Sequence, residues 1–391
     1  MGTIMAKKII GLTGSFGSGC SHIAETHLQH KGFNYISLSQ ILKDEYFGEK
    51  EQIDVPRKIL QDFGNQLREK HGPDYLAQIA LSYIQAQPED FWVVDSIKNP
   101  YEVKCFREVS SFFLIGVFAD YHIRWSRKKT IYKGNEAEFF EDDKRDSNEE
   151  ISYGQRVRDS FAISDLVILN NRNYNPGSNP YNDMEVKIKD FLNLIDHPSF
   201  RQPSEEEALM AIAYANSLRS SCLKRKVGAV IVDNRGVILS SGYNEVPIGE
   251  DPCKGLHGDC YRNLKKQEIK SAIDGIVFDK KINLAVNDVV LKQQKMLELC
   301  RSLHAEENAI INIARFGSQV DLREATLYTT TYPCNLCANK ISQVGIGKVV
   351  YLEPYPQEEA KTLLDARRIE QKPFEGVSYK GYFRLFGSEN L

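Results

Sequence analysis

Two short segments constrain the fold of this chain more than any other part of it. Residues 304–309 read His-Ala-Glu-Glu-Asn-Ala, and residues 333–337 read Pro-Cys-Asn-Leu-Cys. His304, Cys334 and Cys337 are the kinds of side chain that hold a catalytic zinc ion, which takes three protein ligands and keeps one position open for water. The fold must therefore bring these two segments together around one metal ion.

The residues around these segments predict a helix, a strand and a second helix. Apolar residues follow His304 at helical spacing, residues 325–331 are typical of a strand, and Pro333 stands in the first turn of a second helix. The metal ligands then lie near the N-terminal ends of the two helices. Positive helix ends and a bound metal both favour thiolate over thiol.

Glu306 is the predicted catalytic residue. It follows His304 by two positions, so it does not share the direction of His304 on the helix and need not bind the metal. Zinc lowers the pKa of bound water to about 7, and a neighbouring carboxylate can move the protons. The alternative is a structural zinc site, which closes with a fourth Cys or His. No fourth ligand accompanies the trio at short range, and the H-x-E … P-C-x-x-C pattern is typical of zinc-dependent nucleobase deaminases.

Composition limits the remaining possibilities. The 391 residues suggest two domains or three, and a net charge of −3 gives no sign of a surface that binds nucleic acid. No apolar run approaches the length of a membrane span. The first residues resemble no secretory segment, so we expect a cytoplasmic protein whose eight cysteines serve metal binding rather than disulfides.

The first half begins with a candidate phosphate-binding loop. Residues 8–12 are typical of a buried strand, a glycine-rich stretch follows, and a helix is predicted from about Ser21. The predicted nucleotide-binding residues are Gly14, Ser15, Gly17, Ser18, Gly19, Cys20 and Ser21. Cys20 stands where such loops usually have Lys, so we expect nucleotide binding without efficient phosphoryl transfer. The alternative is a glycine turn that binds nothing.

Strands alternate with helices through the rest of this half, which predicts a parallel sheet covered on both faces. Asp95 ends one predicted strand and is either a magnesium contact or an ordinary strand-end acid. This half resembles the P-loop nucleotide and dephospho-coenzyme A kinase group over about residues 8–195. The resemblance rests on the loop and on residues 57–72, 97–100 and 165–171. It implies a P-loop kinase-like domain at 1–197, with regulation as its expected role.

Residues 198–203 are a predicted linker, and residues 204–391 a predicted second domain. An acidic helix start at Ser204 is followed by a hairpin over 227–242, and then by the zinc helix, a strand, the second zinc helix and a strand. This order predicts an α/β/α sandwich, so the whole chain is expected to be α/β.

The second half resembles the deoxycytidylate deaminases of the cytidine deaminase superfamily, over about residues 204–355. The resemblance rests on residues 227–232, 242–244, 304–309, the P-C-x-x-C helix and residues 345–347. It implies that Asn244 contacts the sugar and that Val227, Gly228 and Ala229 line the base pocket. From its position, Tyr332 is predicted to stack on the pyrimidine. A run of three basic residues either binds a substrate phosphate or is a solvated surface: Lys224, Arg225 and Lys226.

A second, structural zinc is also predicted. Its candidate ligands are Cys253, His257, Cys260 and Cys300, with Cys222 as a competing fourth ligand. The alternative is a set of scattered free thiols. The charged insertion at 261–299 receives no assignment.

The predicted activity is zinc-dependent hydrolytic deamination of free deoxycytidine nucleotides, dCMP, dCTP or both. The alternatives are a polynucleotide cytidine deaminase, which needs a basic groove, and a nucleotide-sensing regulator. The resemblance implies a homo-oligomer, with a hexamer among the options, and an NTP or dNTP effector at the P-loop. P-loop modules fused to deoxycytidylate deaminases also imply a role in antiphage defence, with any inhibitory partner unidentified.

Overall fold

The computed structural model describes residues 7–48, 50–51, 55–108, 111–147, 149, 151–171, 184–287, 289–290, 297–316, 321–353 and 358–387. The chain forms two compact units. The first unit comprises residues 1–207 together with 374–391, and the second comprises residues 208–373. Each unit has its own sheet.

The strands, in chain order, are β1 (Lys8–Thr13), β2 (Asn34–Ser37), β3 (Phe91–Asp95), β4 (Phe112–Phe118), β5 (Leu166–Leu169), β6 (Gly228–Val232), β7 (Ile238–Tyr243), β8 (Thr326–Thr331), β9 (Lys348–Glu353), β10 (Glu370–Pro373) and β11 (Gly376–Val377).

The α-helices are α1 (Cys20–His22), α2 (Leu38–Phe47), α3 (Arg57–His71), α4 (Tyr75–Ala86), α5 (Pro100–Arg107), α6 (Tyr121–Lys128), α7 (Glu136–Ser147), α8 (Val157–Ala162), α9 (Met184–Asp196), α10 (Glu205–Ser217), α11 (Cys253–His257), α12 (Tyr261–Ile276), α13 (Lys280–Asn287), α14 (Ala305–Phe316), α15 (Asn335–Val344), α16 (Glu358–Ala366) and α17 (Tyr379–Phe386). A π-helical segment, Ile23–Leu28, and a 3-10 turn, Gln29–Lys31, continue α1, and further 3-10 turns span Leu297–Leu299 and Leu322–Glu324.

The sheet of the first unit has the order β11-β5-β4-β1-β3-β2. Strands β1 to β5 pair in parallel, as the alternation of strands and helices predicts. Successive residues of a strand point to opposite faces, and Ile9 and Ile10 accordingly belong to two different buried clusters. One cluster includes Phe191 of α9 and the other Leu76 of α4, so helices cover both faces of the sheet.

The sheet of the second unit has the order β10-β9-β8-β6-β7. Strands β6 and β7 form the predicted antiparallel hairpin, and β8, β9 and β10 run parallel to one another. Apolar side chains of α14, α15 and α16 share one buried cluster with β6, β8 and β9. This packing fixes the two predicted zinc helices against one sheet.

The C-terminal segment departs from the predicted division at 204–391. Residues 374–391 belong to the first unit, where β11 pairs antiparallel with the sheet-edge strand β5. Burial explains this return, because Val377 and Leu385 join the cluster that contains Leu166 and Phe191. The other boundary of the first unit, at Glu207, lies four residues beyond the predicted linker at 198–203.

The insertion ahead of the metal segment is mainly helical. Helices α12 and α13 occupy much of it, and no residue of either helix is buried. In the part of the chain that the structure describes, no helix combines the length and the hydropathy needed to cross a bilayer.

Candidate active site

Backbone hydrogen bonds position the first metal segment. Glu245, just after β7, and Leu303 exchange two backbone hydrogen bonds of 3.2 and 2.9 Å. His304 follows at once and precedes α14. Inside α14, the Asn308 amide donates to the carbonyl of Tyr243 at 2.8 Å. The start of the helix is therefore held against the end of β7 on both sides of His304.

Gly242 lets α14 approach β7 closely. A Cβ atom at this glycine would lie 2.5 Å from the amide nitrogen of Ala309, and closer still to the carbonyl oxygen of Ala305. Only a residue without a side chain fits this approach. The glycine of the Gly-Tyr-Asn sequence therefore sets the depth at which Glu306 enters the site.

The second metal segment follows β8. The strand ends at Thr331, and Cys334 occupies the N-cap position of α15 in extended conformation. Cys337 lies in the first turn of α15 and is completely buried. The predicted helix, strand and helix around the metal segments are confirmed.

Three potential metal ligands converge here. Nδ1 of His304 lies 3.2 Å from Sγ of Cys334 and 3.3 Å from Sγ of Cys337. Tetrahedral zinc with ordinary bond lengths places a nitrogen and a sulfur ligand about 3.6 Å apart. One imidazole and two thiols at this spacing fit a zinc ion, with room for a fourth, non-protein ligand. Among the described residues, no other three His, Cys, Asp or Glu side chains bring their ligand atoms within 4.8 Å of one another.

Glu306 lies beside the ligands and is 3% exposed. One carboxylate oxygen is 3.5 Å from the Thr329 hydroxyl and the other is 3.6 Å from the Cys337 sulfur. Burial raises the pKa of this carboxyl, and the charge of His304 acts in the opposite sense. A carboxylate with a raised pKa is a stronger base than an exposed Glu, which suits proton transfer near neutral pH.

The two thiols differ in character. The hydrogen bond with Cys337, together with His304, holds the pKa of Cys334 well below its usual range. The same hydrogen bond and burial raise the pKa of Cys337. At least one ligand is thus a thiolate, the form that binds metal.

Asn244 has a structural role that the sequence does not reveal. Its side chain accepts a hydrogen bond of 2.7 Å from the amide of Val227 and donates one of 2.9 Å to the carbonyl of Arg225. These contacts fix the start of β6, where Gly228 and Ala229 are buried. Residues 227–229 and Asn244 are therefore brought together, as their predicted role in one pocket requires.

The structure places Tyr332 in the core. It is 5% exposed, packs edge-on against Tyr351 at 4.8 Å and donates a hydrogen bond from its hydroxyl to Gln371. The ring thus contacts β9 and its hydroxyl contacts β10, and stacking on the pyrimidine stays a prediction.

The basic run is exposed. Arg225 binds the carboxylate of Glu353 and lies 3.1 Å from the hydroxyl of Thr331, and Lys226 contacts the carbonyl of Leu218 at 3.5 Å. Lys224 is also exposed. Arg225 therefore lies near the end of β8 that leads to the metal, with its guanidinium paired to Glu353.

The predicted structural zinc site is not assembled. Cys253, His257, Cys260 and Cys300 do not bring three ligand atoms within 4.8 Å of one another. Burial raises the pKa of Cys300, and Cys222 and Cys260 act in the same direction. Cys253 and His257 lie on α11.

In the first unit, the glycine-rich loop lines a cavity of about 750 Å³. The loop connects β1 to α1, with φ of +86° at Gly17 and +105° at Gly19. All the predicted loop residues line it: Gly14, Ser15, Gly17, Ser18, Gly19, Cys20 and Ser21. Burial raises the pKa of Cys20 far above its usual value, so this thiol stays neutral.

Several cavity residues escape the sequence prediction. Arg57, Lys98 and Asp146 come from separate elements and line the cavity with Asp95 and Lys187. The Ser21 hydroxyl donates to the carboxylate of Asp95 at 2.6 Å. The sequence positions of Arg57, Lys98, Asp146 and Lys187 give no sign that these side chains meet, because only the parallel sheet brings them to one edge.

In the second unit, Thr329 and Gln371 are likewise missed. A buried Thr within a Thr-rich strand has the same sequence signature as one that faces solvent.

The convergence of one imidazole, two thiols and a buried carboxylate on helices flanking one sheet defines a zinc-dependent deaminase.

Residues 203–353 match the family model described as the cytidine and deoxycytidylate deaminase zinc-binding region. A deoxycytidylate deaminase of Enterobacteria phage T2 is 36% identical over 160 residues, which cover 39% of this chain and 81% of the relative. One from Mycobacterium phage D29 is 35% identical over 150 residues, covering 38% of this chain and 95% of the relative. The chain therefore belongs to the deoxycytidylate deaminase family and is a hydrolytic deaminase.

A further relative aligns over both units. The deoxycytidylate deaminase of Schizosaccharomyces pombe is 27% identical over 373 residues, covering 93% of this chain and 97% of the relative. The likeness therefore extends well beyond the segment with the metal ligands.

Proposed function

We propose that this protein converts dCMP and water to dUMP and ammonia. The proposal rests on one observation. The buried Glu306 carboxylate lies beside the place where Sγ of Cys334, Sγ of Cys337 and Nδ1 of His304 converge. The named activity of the phage and yeast relatives supports the choice of deoxycytidylate as substrate. We include dCTP as a second candidate substrate.

A zinc ion held by His304, Cys334 and Cys337 would act as a Lewis acid and lower the pKa of a water molecule beside Glu306. Glu306 accepts a proton from this water and delivers it to N3 of the cytosine ring, while the water oxygen adds to C4. The remaining proton of the water passes through Glu306 to the exocyclic amine, which leaves as ammonia. The C4 oxygen becomes the carbonyl of uracil, so all atoms are accounted for.

The substrate is a free nucleotide rather than a polynucleotide. A polynucleotide substrate needs a basic groove to meet many phosphates, whereas this chain has a net charge of −3. Arg225 near the metal-proximal end of β8 offers one cation for one phosphate group. Asn244 holds residues 225 and 227 in place and contacts the sugar, as the family resemblance implies.

The first unit is a P-loop kinase-like domain that binds a nucleotide and regulates the deaminase. A cavity of 300–1,000 Å³ is typical of small-molecule sites, and the loop cavity of about 750 Å³ lies in that range. Cys20 carries no charge to the terminal phosphates, which disfavours phosphoryl transfer. Comparing binding of ATP to the wild type and to Gly19→Asp tests this part, because a side chain at Gly19 would collide with Asn170.

A substrate panel with liberated ammonia as the readout tests the activity. The wild type is expected to release ammonia from dCMP, from dCTP or from both, and not from a cytosine-containing oligonucleotide. Activity on the oligonucleotide alone would reverse the proposal. Metal analysis of the same preparation should find at least one zinc per chain, and a value of two would establish the structural zinc.

The remaining parts of the proposal concern the cellular context. We propose a cytoplasmic homo-oligomer, with a hexamer among the options, which mass photometry can determine. The antiphage role predicts that expression of the active protein, but not of Glu306→Gln, lowers the cellular dCTP pool and reduces phage plaque formation. Equal plaque counts for both proteins would remove that role and leave the enzymatic activity untouched.

A further inference from the structure

Glu307 contacts the backbone of the first metal ligand. Its Oε2 accepts a hydrogen bond of 3.3 Å from the amide of His304. The first amides of a helix have no partner within the helix, and a glutamate in the first turn commonly accepts from the residue that precedes the helix. His304 directly precedes α14, and its carbonyl accepts from Asn308 at 2.9 Å. Glu307 therefore holds His304 on the amide side, while the helix holds it on the carbonyl side.

The other oxygen of the same carboxylate reaches the second metal helix. Oε1 of Glu307 forms an ion pair of 2.8 Å with Nζ of Lys340, which lies in α15. Lys340 follows Cys337 by three residues, a spacing that makes two side chains neighbours on one helix face. One carboxylate thus joins the backbone of the histidine ligand to the helix that carries the buried cysteine ligand. We call these two residues the Glu307–Lys340 pair.

The pair lies at the border between the metal segments and solvent. The side chain of Glu307 is 18% exposed and that of Lys340 is 39% exposed. Both line a depression of about 210 Å³, together with His304 and Leu336. Because solvent weakens an ion pair in such a position, the pair contributes little to folding stability. What it holds in place is therefore more important than its strength.

Apolar packing alone fixes the two metal helices less sharply. Helices α14 and α15 contribute Ala309, Ile313, Ala338 and Ile341 to one buried cluster. Apolar burial is favourable without preferring a direction, whereas a metal site needs its ligand distances correct to within about 0.2 Å. A small shift of α15 along α14 would keep these side chains buried and still change the distance from His304 to Cys337. A directional contact between the two helices resists that shift.

We propose that the Glu307–Lys340 pair positions the ligands for zinc. Glu307 fixes His304, and Lys340 holds α15, with Cys337, at the matching distance. Neither residue binds the ion in this proposal, so both are positioning residues that act through the ligands. The inference rests on the proposed zinc deaminase and adds two residues that determine how tightly the ion is held.

The test measures zinc affinity on the full chain without substrate. A chromogenic chelator of known affinity competes with the protein for zinc at pH 7. Glu307→Gln removes the charge but keeps an oxygen for the His304 amide, and Lys340→Met keeps an unbranched side chain without the charge. Each should lower zinc affinity about tenfold, the lower end of the usual effect of residues that support metal ligands, because the pair is partly exposed.

Two further variants show whether the residues act together. If they form one link, the double variant Glu307→Gln with Lys340→Met should bind zinc about as tightly as the weaker single variant. Lys340→Arg keeps a cation opposite Glu307 and should retain an affinity close to that of the wild type.

Lys348→Met is the matched control. Lys348 pairs with Glu370 at 3.0 Å, between β9 and β10 of the same unit, and neither strand carries a ligand of the site. It should keep the wild-type zinc affinity. Thermal unfolding of the metal-free proteins, followed by far-ultraviolet circular dichroism, detects a general loss of structure. All variants should unfold within about 4 °C of the metal-free wild type, because a partly exposed ion pair contributes little to stability.

The outcomes separate this role from the proposed activity. If the wild type binds no zinc, or releases no ammonia from any deoxycytidine nucleotide, the proposed function fails. The positioning role alone is overturned if Glu307→Gln and Lys340→Met bind zinc as tightly as the wild type, or if Lys348→Met weakens binding to the same extent. It is also overturned if the double variant shows the product of the two single losses, or if weaker binding accompanies a lower unfolding temperature of the metal-free variants.

Discussion

In the proposed reaction, Glu306 is the side chain on which turnover depends most directly. Because its proposed role is to move protons and not to hold the metal, Glu306→Gln should lower kcat for dCMP by about 10²- to 10⁴-fold, the usual contribution of a general acid and base. Zinc content should remain at the wild-type value. Steady-state kinetics with metal analysis on the same samples checks both, and a variant with more than a tenth of normal kcat would contradict the assigned role. Glu359→Gln, at an exposed position of α16, is a control.

Asp146 provides a second prediction at the residue scale. Burial acts to raise the pKa of this carboxyl, but Arg57 and Lys98 overcome it and lower the pKa to about 2. A carboxyl with a lowered pKa stabilises the fold above its unfolded pKa and loses that contribution as the pH falls through its folded pKa. The shift from 3.8 corresponds to about 2 kcal/mol.

Asp146→Asn should therefore lower the free energy of unfolding of the first unit by about 2 kcal/mol at pH 7. The difference should shrink between pH 4 and pH 2. Urea titration can follow Trp92 and Trp125, the two tryptophans of the chain, since both lie in the first unit. Asp62→Asn is the control, because the Asp62 side chain that pairs with Arg145 is about half exposed. It should lower the free energy of unfolding by less than about 1 kcal/mol. A pH-independent loss in Asp146→Asn would refute the electrostatic explanation.

At the scale of elements, the contact between α14 and β7 should be sensitive to a single methyl group. Gly242→Ala places a Cβ against the backbone of Ala305 and Ala309, so α14 must move away from the sheet and carry His304 and Glu306 with it. We expect at least a tenfold loss of kcat/KM and weaker zinc retention during dialysis, because displacing catalytic groups by about 1 Å is enough to cause a loss of this size.

Gly255→Ala is the matched control for this prediction. No heavy atom lies within 4 Å of the position that its Cβ would take, and Gly255 lies in a helix of the same unit. It should retain wild-type kinetics. If both alanines behaved alike, close packing at Gly242 would not be what positions the metal segment.

The elements around the metal are predictable because each carries its own local signal. The spacing after His304, the strand-forming run at 325–331 and Pro333 agree with one another, and the hairpin at 227–242 has a polar turn between two apolar runs. The position of Tyr332, by contrast, is not determined by local sequence signals. The same aromatic residue before Pro333 suits a pocket wall or a core position, and only β10, across the sheet, determines which one it occupies.

At the scale of the whole molecule, metal removal should affect the two units unequally. A bound metal stabilises only the folded unit that binds it, and all three ligands lie in the second unit. A chelator should abolish deamination and lower the temperature of the transition seen by far-ultraviolet circular dichroism. The transition seen by tryptophan fluorescence should stay within about 1 °C of its original position, because both tryptophans lie in the first unit. Equal shifts by both probes would contradict a metal confined to the second unit.

The existence of two units was predictable from the strand patterns, but their exact membership was not. Residues 376–377 form a strand of two residues, too short to show any alternation, and their partner Val167 is remote in sequence. The pairing arises because β5 is a sheet edge and Val377 completes a buried cluster.

The late position of β11 has a consequence for synthesis. The first unit leaves the ribosome with the edge of β5 uncovered, and the 166 residues from 208 to 373 must be translated before the segment that covers it. At ordinary elongation rates this takes about 8–30 s. During that interval the nascent chain exposes an unprotected strand edge, a recognised cause of aggregation, so its yield in cells should depend on chaperones even though the finished protein has that edge covered.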